Sequence, residues 1–323
     1  MMEGVVIKLD RGYPLVRIED GREIRCEHAI ALVKNEHVRA TTGDVVDIAL
    51  PEGHDKGIIE KIMPRRRAFM RKDPTERVEA QVLAANFDKV FVVEPLVNIN
   101  VRRLERELVL AHESGAEVVV VLTKADLAEN REELDRVSVL VEHVAQGTPV
   151  LVVSAEDCAS IEAVRAMIPV GEVAILLGKS GVGKSSLVNL LVGRDVQATG
   201  EVRSTDGKGR HTTVSREMIQ IPDGGCVVDM PGVRGLALWD SEGGIEAAFQ
   251  DVEELAGQCR FADCRHMREP GCAVRAAVER GELPAERLES YLRLKEETET
   301  LRKRNVEAQR IRSRTGHPRR WKG

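Results

Sequence analysis

Apolar residues recur along this chain in three rhythms. Up to about residue 63 they come in short, nearly alternating runs: Gly4–Leu9, Pro14–Ile18, Glu23–Cys26, Val45–Leu50 and Gly57–Ile62, with Asp20-Gly21 as a turn. Five short strands in so few residues predict a small β-barrel, OB-like or SH3-like. From about 74 to 240 continuous apolar runs alternate with helical spacing. Val118–Leu122, Pro149–Val153, Val173–Leu177 and Cys226–Asp229 read as buried strands. Val101–His112 places Val101, Leu104 and Leu108 on one helical face. Glu132–Gln146 does the same with Leu134, Val137, Val141 and Val144, and Gly147 is its stop. The alternation predicts an α/β domain with a mainly parallel, doubly wound sheet. After about 244 the pattern is helical. Pro284 opens a helix through Leu288, Tyr291 and Leu292, whose later part is so charged that fraying or disorder is expected. There is no internal repeat. The expected division is a barrel at 1–63, a basic linker at 64–73, an α/β domain at 74–240 and a helical domain at 241–323.

Composition adds limits. Hydrophobic residues are 42% and charged residues 31% of 323, enough for cores and a solvated surface. No apolar stretch approaches the roughly 20 residues that span a membrane. Met1-Met2-Glu3-Gly4 has no signal-peptide character, so the cytoplasm is the expected compartment, and a monomer is expected. The net charge of −5 does not describe a basic nucleic-acid binder. It is uneven, however: Arg287–Gly323 carries 12 Lys+Arg against 5 Asp+Glu, leaving −12 on the rest. That asymmetry suggests an interacting tail. Arg65-Arg66-Arg67 and Arg71-Lys72 are either a solvated hinge or a phosphate contact. The barrel has Tyr13 as its one aromatic residue. It is therefore a structural unit or binds RNA by shape and backbone rather than by base stacking.

The chemistry sits at strand ends. Gly178-Lys179-Ser180-Gly181-Val182-Gly183-Lys184-Ser185-Ser186 lies between the Val173–Leu177 strand and a helix ending at Gly193. Such a glycine loop turns backbone N–H groups onto phosphates, with the helix N-terminus adding positive potential. Lys184 would reach the β- and γ-phosphates and Ser185 would ligate Mg²⁺. Thr123-Lys124-Ala125-Asp126 follows another strand and fits the guanine-recognising [NT]-K-x-D element. Asp126 would accept hydrogen bonds from guanine, the stem of Lys124 would cover the base, and Thr123 stands where Asn is commoner. Ser154-Ala155, at the end of the next strand, fits the short element that backs the base. Asp229-Met230-Pro231-Gly232 would serve the Mg²⁺ shell through Asp229 and the γ-phosphate through the Gly232 N–H. Gly207–Thr213 is a polar glycine-rich loop; Thr212 or Thr213 would cap Mg²⁺ and γ-phosphate. Val233 occupies the place where many GTPases put a water-orienting Gln. His211 is then either a solvated loop histidine or the group that positions the attacking water. The guanine element precedes the phosphate loop, the reverse of the usual order, so either one match is accidental or the domain is circularly permuted. Cys259-x₄-Cys264-x-His266-x₅-Cys272 is a normal soft-ligand set for structural zinc, the alternative being free thiols near a surface histidine.

The order TKAD, SA, GKSGVGKSS, GKGRHTT, DMPG and then the Cys₃His cluster resembles the small-ribosomal-subunit-dependent GTPase A (RsgA) family over essentially the whole chain. The resemblance implies GTP hydrolysis to GDP, stimulated by the small ribosomal subunit during its late maturation. It implies that barrel and zinc domain contact rRNA and that His211 serves catalysis. The readings to separate from it are a GTPase acting on another RNA or protein, and a nucleotide-gated RNA-binding module with negligible turnover.

Overall fold

The computed structural model describes residues 1–10, 13–34, 39–72, 80–197, 216–230 and 241–315. The first five strands are β1 (Met2–Asp10), β2 (Tyr13–Ile18), β3 (Glu23–His28), β4 (Val45–Ala49) and β5 (Gly57–Ile62), with a short helix α1 (Ile30–Lys34) between β3 and β4. They pair β1–β2, β2–β3, β3–β5, β5–β4 and β4–β1, which closes the barrel. Its interior is filled by Val6, Val16, Ile18, Cys26, Val46, Ile48 and Ile59, the alternate residues of those strands.

The stretch expected to be a linker contains a strand. β6 (Ala68–Lys72) pairs antiparallel with β7 (Ala80–Ala85). The three arginines before it are engaged rather than free. Arg65 forms a two-pronged pair with the fully buried Asp44, Arg66 pairs with Asp88, and Arg67 donates to the Gly115 and Phe87 carbonyls. Basic residues close in sequence read as a hinge because their acceptors lie 20 or more residues away.

The α/β unit then runs β8 (Lys89–Pro95), α2 (Val101–Glu113), β9 (Glu117–Thr123), α3 (Arg131–Ala145), β10 (Val150–Val152), α4 (Cys158–Ala166), β11 (Val173–Leu177), α5 (Lys184–Val192), β12 (Arg216–Gln220) and β13 (Cys226–Asp229). The sheet order is β10-β9-β8-β11-β13-β12, parallel except for β12. Both faces are covered, so the strands need continuous apolar runs. Val90, Val92, Val120, Leu122, Ile175 and Leu177 face α2 and α3. Phe91, Val93, Val121, Ala174 and Leu176 face α4 and α5. β12 also pairs with β1, Lys8 opposite Glu217 and Leu9 opposite Arg216, so one hydrogen-bonded ladder crosses from barrel to α/β unit.

Among the described residues four helices follow the sheet: α6 (Glu242–Ala248), α7 (Gln250–Ala256), α8 (Ala273–Glu279) and α9 (Ala285–Thr315). Pro284 precedes α9, which continues as helix to Thr315, past the point where its charge suggested fraying. α6 and α9 pack on the side of α2 away from the sheet. No described helix is long and apolar enough to cross a membrane.

Candidate active site and metal centre

β8, β9, β10, β11 and β13 all end at one edge of the sheet, where open α/β sheets bind ligands. β11 lies between β8 and β13, with Leu176 opposite Asp229. The loop leaving it begins with Gly178 at φ +149°, and a Cβ there would lie 2.4 Å from the Val93 carbonyl oxygen. Only glycine lets the loop run this close to β8. Lys184, the first residue of α5, is 6% exposed, and its ammonium donates to the Gly178 carbonyl at 2.7 Å and the Lys179 carbonyl at 3.1 Å. Burial pushes its pKa down, opposed by Asp229, Glu107 and Glu94. Ser185 is half-buried and Ser186 exposed beside it; Lys179 and Ser180 are exposed on the loop. Asp229, at the end of β13, is buried, and among the described residues its Oδ1 has no hydrogen-bond partner. Burial pushes this carboxyl up, opposed by Lys184. A buried carboxylate oxygen without a described donor, near the start of α5 that carries Ser185, suits a hard cation.

The second half of the site comes from β9 and β10. Thr123 is buried at the end of β9; its hydroxyl donates to the Val182 carbonyl and lies 3.3 Å from that of Glu94. The shorter side chain thus still links this motif to the phosphate loop. Lys124 adopts φ +59°, and its ammonium donates to the Gly181 carbonyl at 2.8 Å. Ala125 and Asp126 form a 3-10 turn with Leu127. Asp126 Oδ1 accepts from the Ser154 hydroxyl at 3.3 Å and the Ala155 N–H at 3.4 Å. Elements far apart in sequence therefore meet at one end of the sheet: the Ser-Ala pair on Asp126, and the Thr-Lys pair on Val182 and Gly181. Thr212, Thr213, His211 and Gly232 lie outside the described residues.

Three side chains beneath the phosphate loop have no motif. Glu94 is wholly buried at the end of β8 and is held by the Arg103 guanidinium. Glu107, one turn further along α2, is 2% exposed. Burial first, and then Glu94, push its carboxyl up to about 8, against the pull of Arg103 and Lys184. The available signals were an acid closing the apolar run of β8 and another on the Leu104–Leu108 face of α2.

The second centre is in the C-terminal helices. Cys259, Cys264, His266 and Cys272 bring their ligand atoms within 4.8 Å of one another. Cys259 Sγ and Cys272 Sγ are 3.9 Å apart and lie 3.6 and 3.5 Å from His266 Nδ1. A tetrahedral ion with thiolates at about 2.3 Å and imidazole at about 2.0 Å spaces its ligands at about 3.5–3.8 Å, so the set fits a metal ion. His266 reaches it from φ +59°. Glu269 ties the intervening turn by accepting the Arg265, Met267 and Arg268 N–H groups.

Known proteins resemble this chain over most of its length. Residues 62–239 match the family model described as RsgA GTPase. The chain is 43% identical over 302 residues to the small ribosomal subunit biogenesis GTPase RsgA of Streptomyces avermitilis, covering 93% of this chain and 80% of that one. It is 47% identical over 262 residues to the protein of the same name from Xanthomonas euvesicatoria pv. vesicatoria, covering 81% and 70%. Among solved structures, YjeQ from Thermotoga maritima superposes with a TM-score of 0.68 at 27% identity, covering 92% of this chain and 98% of that one. YloQ, described as a circularly permuted GTPase, gives 0.66 at 25% identity, covering 93% and 96%.

Proposed function

The chain belongs to the RsgA GTPase family and is a GTP hydrolase, and from that premise we propose that it works on the small ribosomal subunit, hydrolysing GTP to GDP and phosphate as a late step of that subunit's maturation. The relatives' name, small ribosomal subunit biogenesis GTPase, supports the partner. The observation that carries the substrate is the joining of Thr123 to Val182 and Lys124 to Gly181, which makes the guanine element and the phosphate loop one site.

In this reading Asp126, steadied by Ser154 and Ala155, accepts from the guanine N1–H and exocyclic amine. Adenine offers no matching pair of donors. The Gly178–Gly183 backbone and the α5 N-terminus receive the phosphates. Lys184 exchanges the Gly178 and Lys179 carbonyls for β- and γ-phosphate oxygens. Ser185 and Asp229, with Thr212 or Thr213, hold Mg²⁺, which neutralises charge on the transferring phosphoryl group. His211 orients a water whose oxygen bonds to the γ-phosphorus as the bond to the β–γ bridging oxygen breaks. The Gly232 N–H meets a γ-oxygen. Cys259, Cys264, His266 and Cys272 hold one structural Zn²⁺ that fixes the 257–272 segment. The barrel and the C-terminal unit supply the rRNA contacts.

The test is GTP turnover with and without purified small subunits, with large subunits and ATP as controls. Stimulation confined to small subunits and GTP is expected; equal stimulation by large subunits would overturn the partner. His211→Ala should keep GTP affinity and lose about 10²-fold in turnover.

A further inference from the structure

Helix α2 is buried on two sides. Its outer side receives the C-terminal helices. The Arg287 guanidinium of α9 meets Glu105 at 3.0 Å and Asp251, donates to the Ala248 carbonyl and stacks on Phe249. Arg106 pairs with Glu297, and Glu113 accepts the Gly244 N–H at 2.8 Å. The inner side reaches under the phosphate loop. There Arg103 holds Glu94, and among the described residues the Glu107 Oε2 has no hydrogen-bond partner. Glu94 in turn touches the loop through its backbone: the Thr123 hydroxyl lies between its carbonyl and that of Val182, and the preceding Val93 carbonyl lies against Gly178. Among the described residues no carboxylate comes within ion-pair distance of the Lys184 ammonium, yet Asp229, Glu107 and Glu94 all act on it through space.

If packing were the only demand, an apolar residue at 107 would meet it without burying an unpaired oxygen. We propose that Arg103 and Glu107 are positioning residues for GTP hydrolysis: from α2 they fix Glu94 and the floor of the phosphate loop, and so set where the Lys184 ammonium lies when a phosphate arrives. This rests on the nucleotide site proposed above. The groups facing Glu107 are Glu94 from β8, Arg103 from its own helix and Lys184 from α5. Burial and the neighbouring Glu94 push the Glu107 carboxyl up to about 8, which favours its protonated form near neutral pH. The Arg103 guanidinium then offsets Glu94, and Asp229 is the foremost anion acting on Lys184. A charge on Glu107 would add an anion beneath the loop and draw the ammonium down, away from the phosphates.

The experiment measures kcat and KM for GTP, alone and with small subunits, together with melting temperature, on the full zinc-loaded chain. Glu107→Gln keeps the neutral hydrogen-bonding group; Glu107→Leu keeps only the volume. Glu107→Leu should melt no lower than wild type while kcat falls about tenfold or more, and Glu107→Gln should restore kcat to within about threefold. Wild-type kcat in Glu107→Leu, or equal losses in both variants, would overturn the proposal. Should Glu107→Leu not fold, Arg103→Lys keeps the charge without the two-pronged grip and should lose about tenfold in kcat; an unchanged value would be equally fatal. A wild-type chain that turns over no GTP would sink the nucleotide-site reading itself, and the positioning role with it.

Discussion

The α/β unit is joined to its two neighbours by different means. The barrel is attached through backbone: β1 continues the sheet onto β12, Ala85 N–H bonds the Thr42 carbonyl, and the Thr41 hydroxyl bonds the Leu83 carbonyl. Arg65–Asp44 is its main buried ion pair. The C-terminal helices are attached to α2 through side chains: Arg287 with Glu105, Arg106 with Glu297 and Arg102 with Glu289. A backbone ladder depends little on which residues form it. A charge network depends on every member, because removing one leaves a buried partner uncompensated. The barrel joint is therefore rigid and tolerant, and the helical joint is specific and easily broken.

Removing metal should separate the two most. Chelation, or Cys272→Ala, should unfold the 257–272 turn and loosen α7 and α8 while β1–β12 keeps its hydrogen-exchange protection. Simultaneous loss of protection in β1 and β12 would show that the joints are not independent. Next come single charges. Arg287→Met should cost about 3–5 kcal/mol in denaturant unfolding, since Glu105 and Asp251 lose a common partner in the interior. Asp44→Asn should cost about 2–3 kcal/mol, because the backbone ladder remains. A reversed order would invert the comparison.

pH probes the α2 side. The Glu107 carboxyl sits at about 8 in the folded chain, well above its ordinary value near 4.3 in an unfolded one. The folded state thus holds the extra proton between those values, and stability falls as pH rises through that window to about 8. The melting temperature of wild type should drop between pH 6 and 9 relative to Glu107→Gln; parallel curves would remove Glu107 as the cause. The smallest effect belongs to Arg102–Glu289, both more than half exposed, where Arg102→Ala should change stability by less than about 0.5 kcal/mol.

Much of this architecture was legible in the sequence. The five barrel strands, the parallel sheet and the helices at 101–113 and 131–145 follow from periodicity, because each buries a face that its own spacing defines. The site was legible where a motif is contiguous, as at Gly178–Ser185. It was not legible where partners are remote. Whether Thr123 could replace a longer amide depended on where Val182 would lie, 59 residues on. Arg65, Arg66 and Arg67 looked like a free basic cluster because their acceptors are folded back from other elements. Glu94 and Glu107 were lost among apolar neighbours, since a pattern that marks a position as buried says nothing of why an acid is there. The β1–β12 pairing joins residues more than 200 positions apart and has no local signature.

That last pairing has a consequence for solubility. An open sheet has two unsatisfied edges, each a template for another chain. At one edge β10 is only three residues long, which blunts it. At the other, β12 is five residues long, and β1 pairs with two of them, Arg216 and Glu217, while the Thr42 hydroxyl donates to the Arg216 carbonyl. The barrel is thus an edge guard for the GTPase sheet. A chain cut after residue 63 would expose that edge, and self-association through β12 is the fault to expect of an isolated α/β unit.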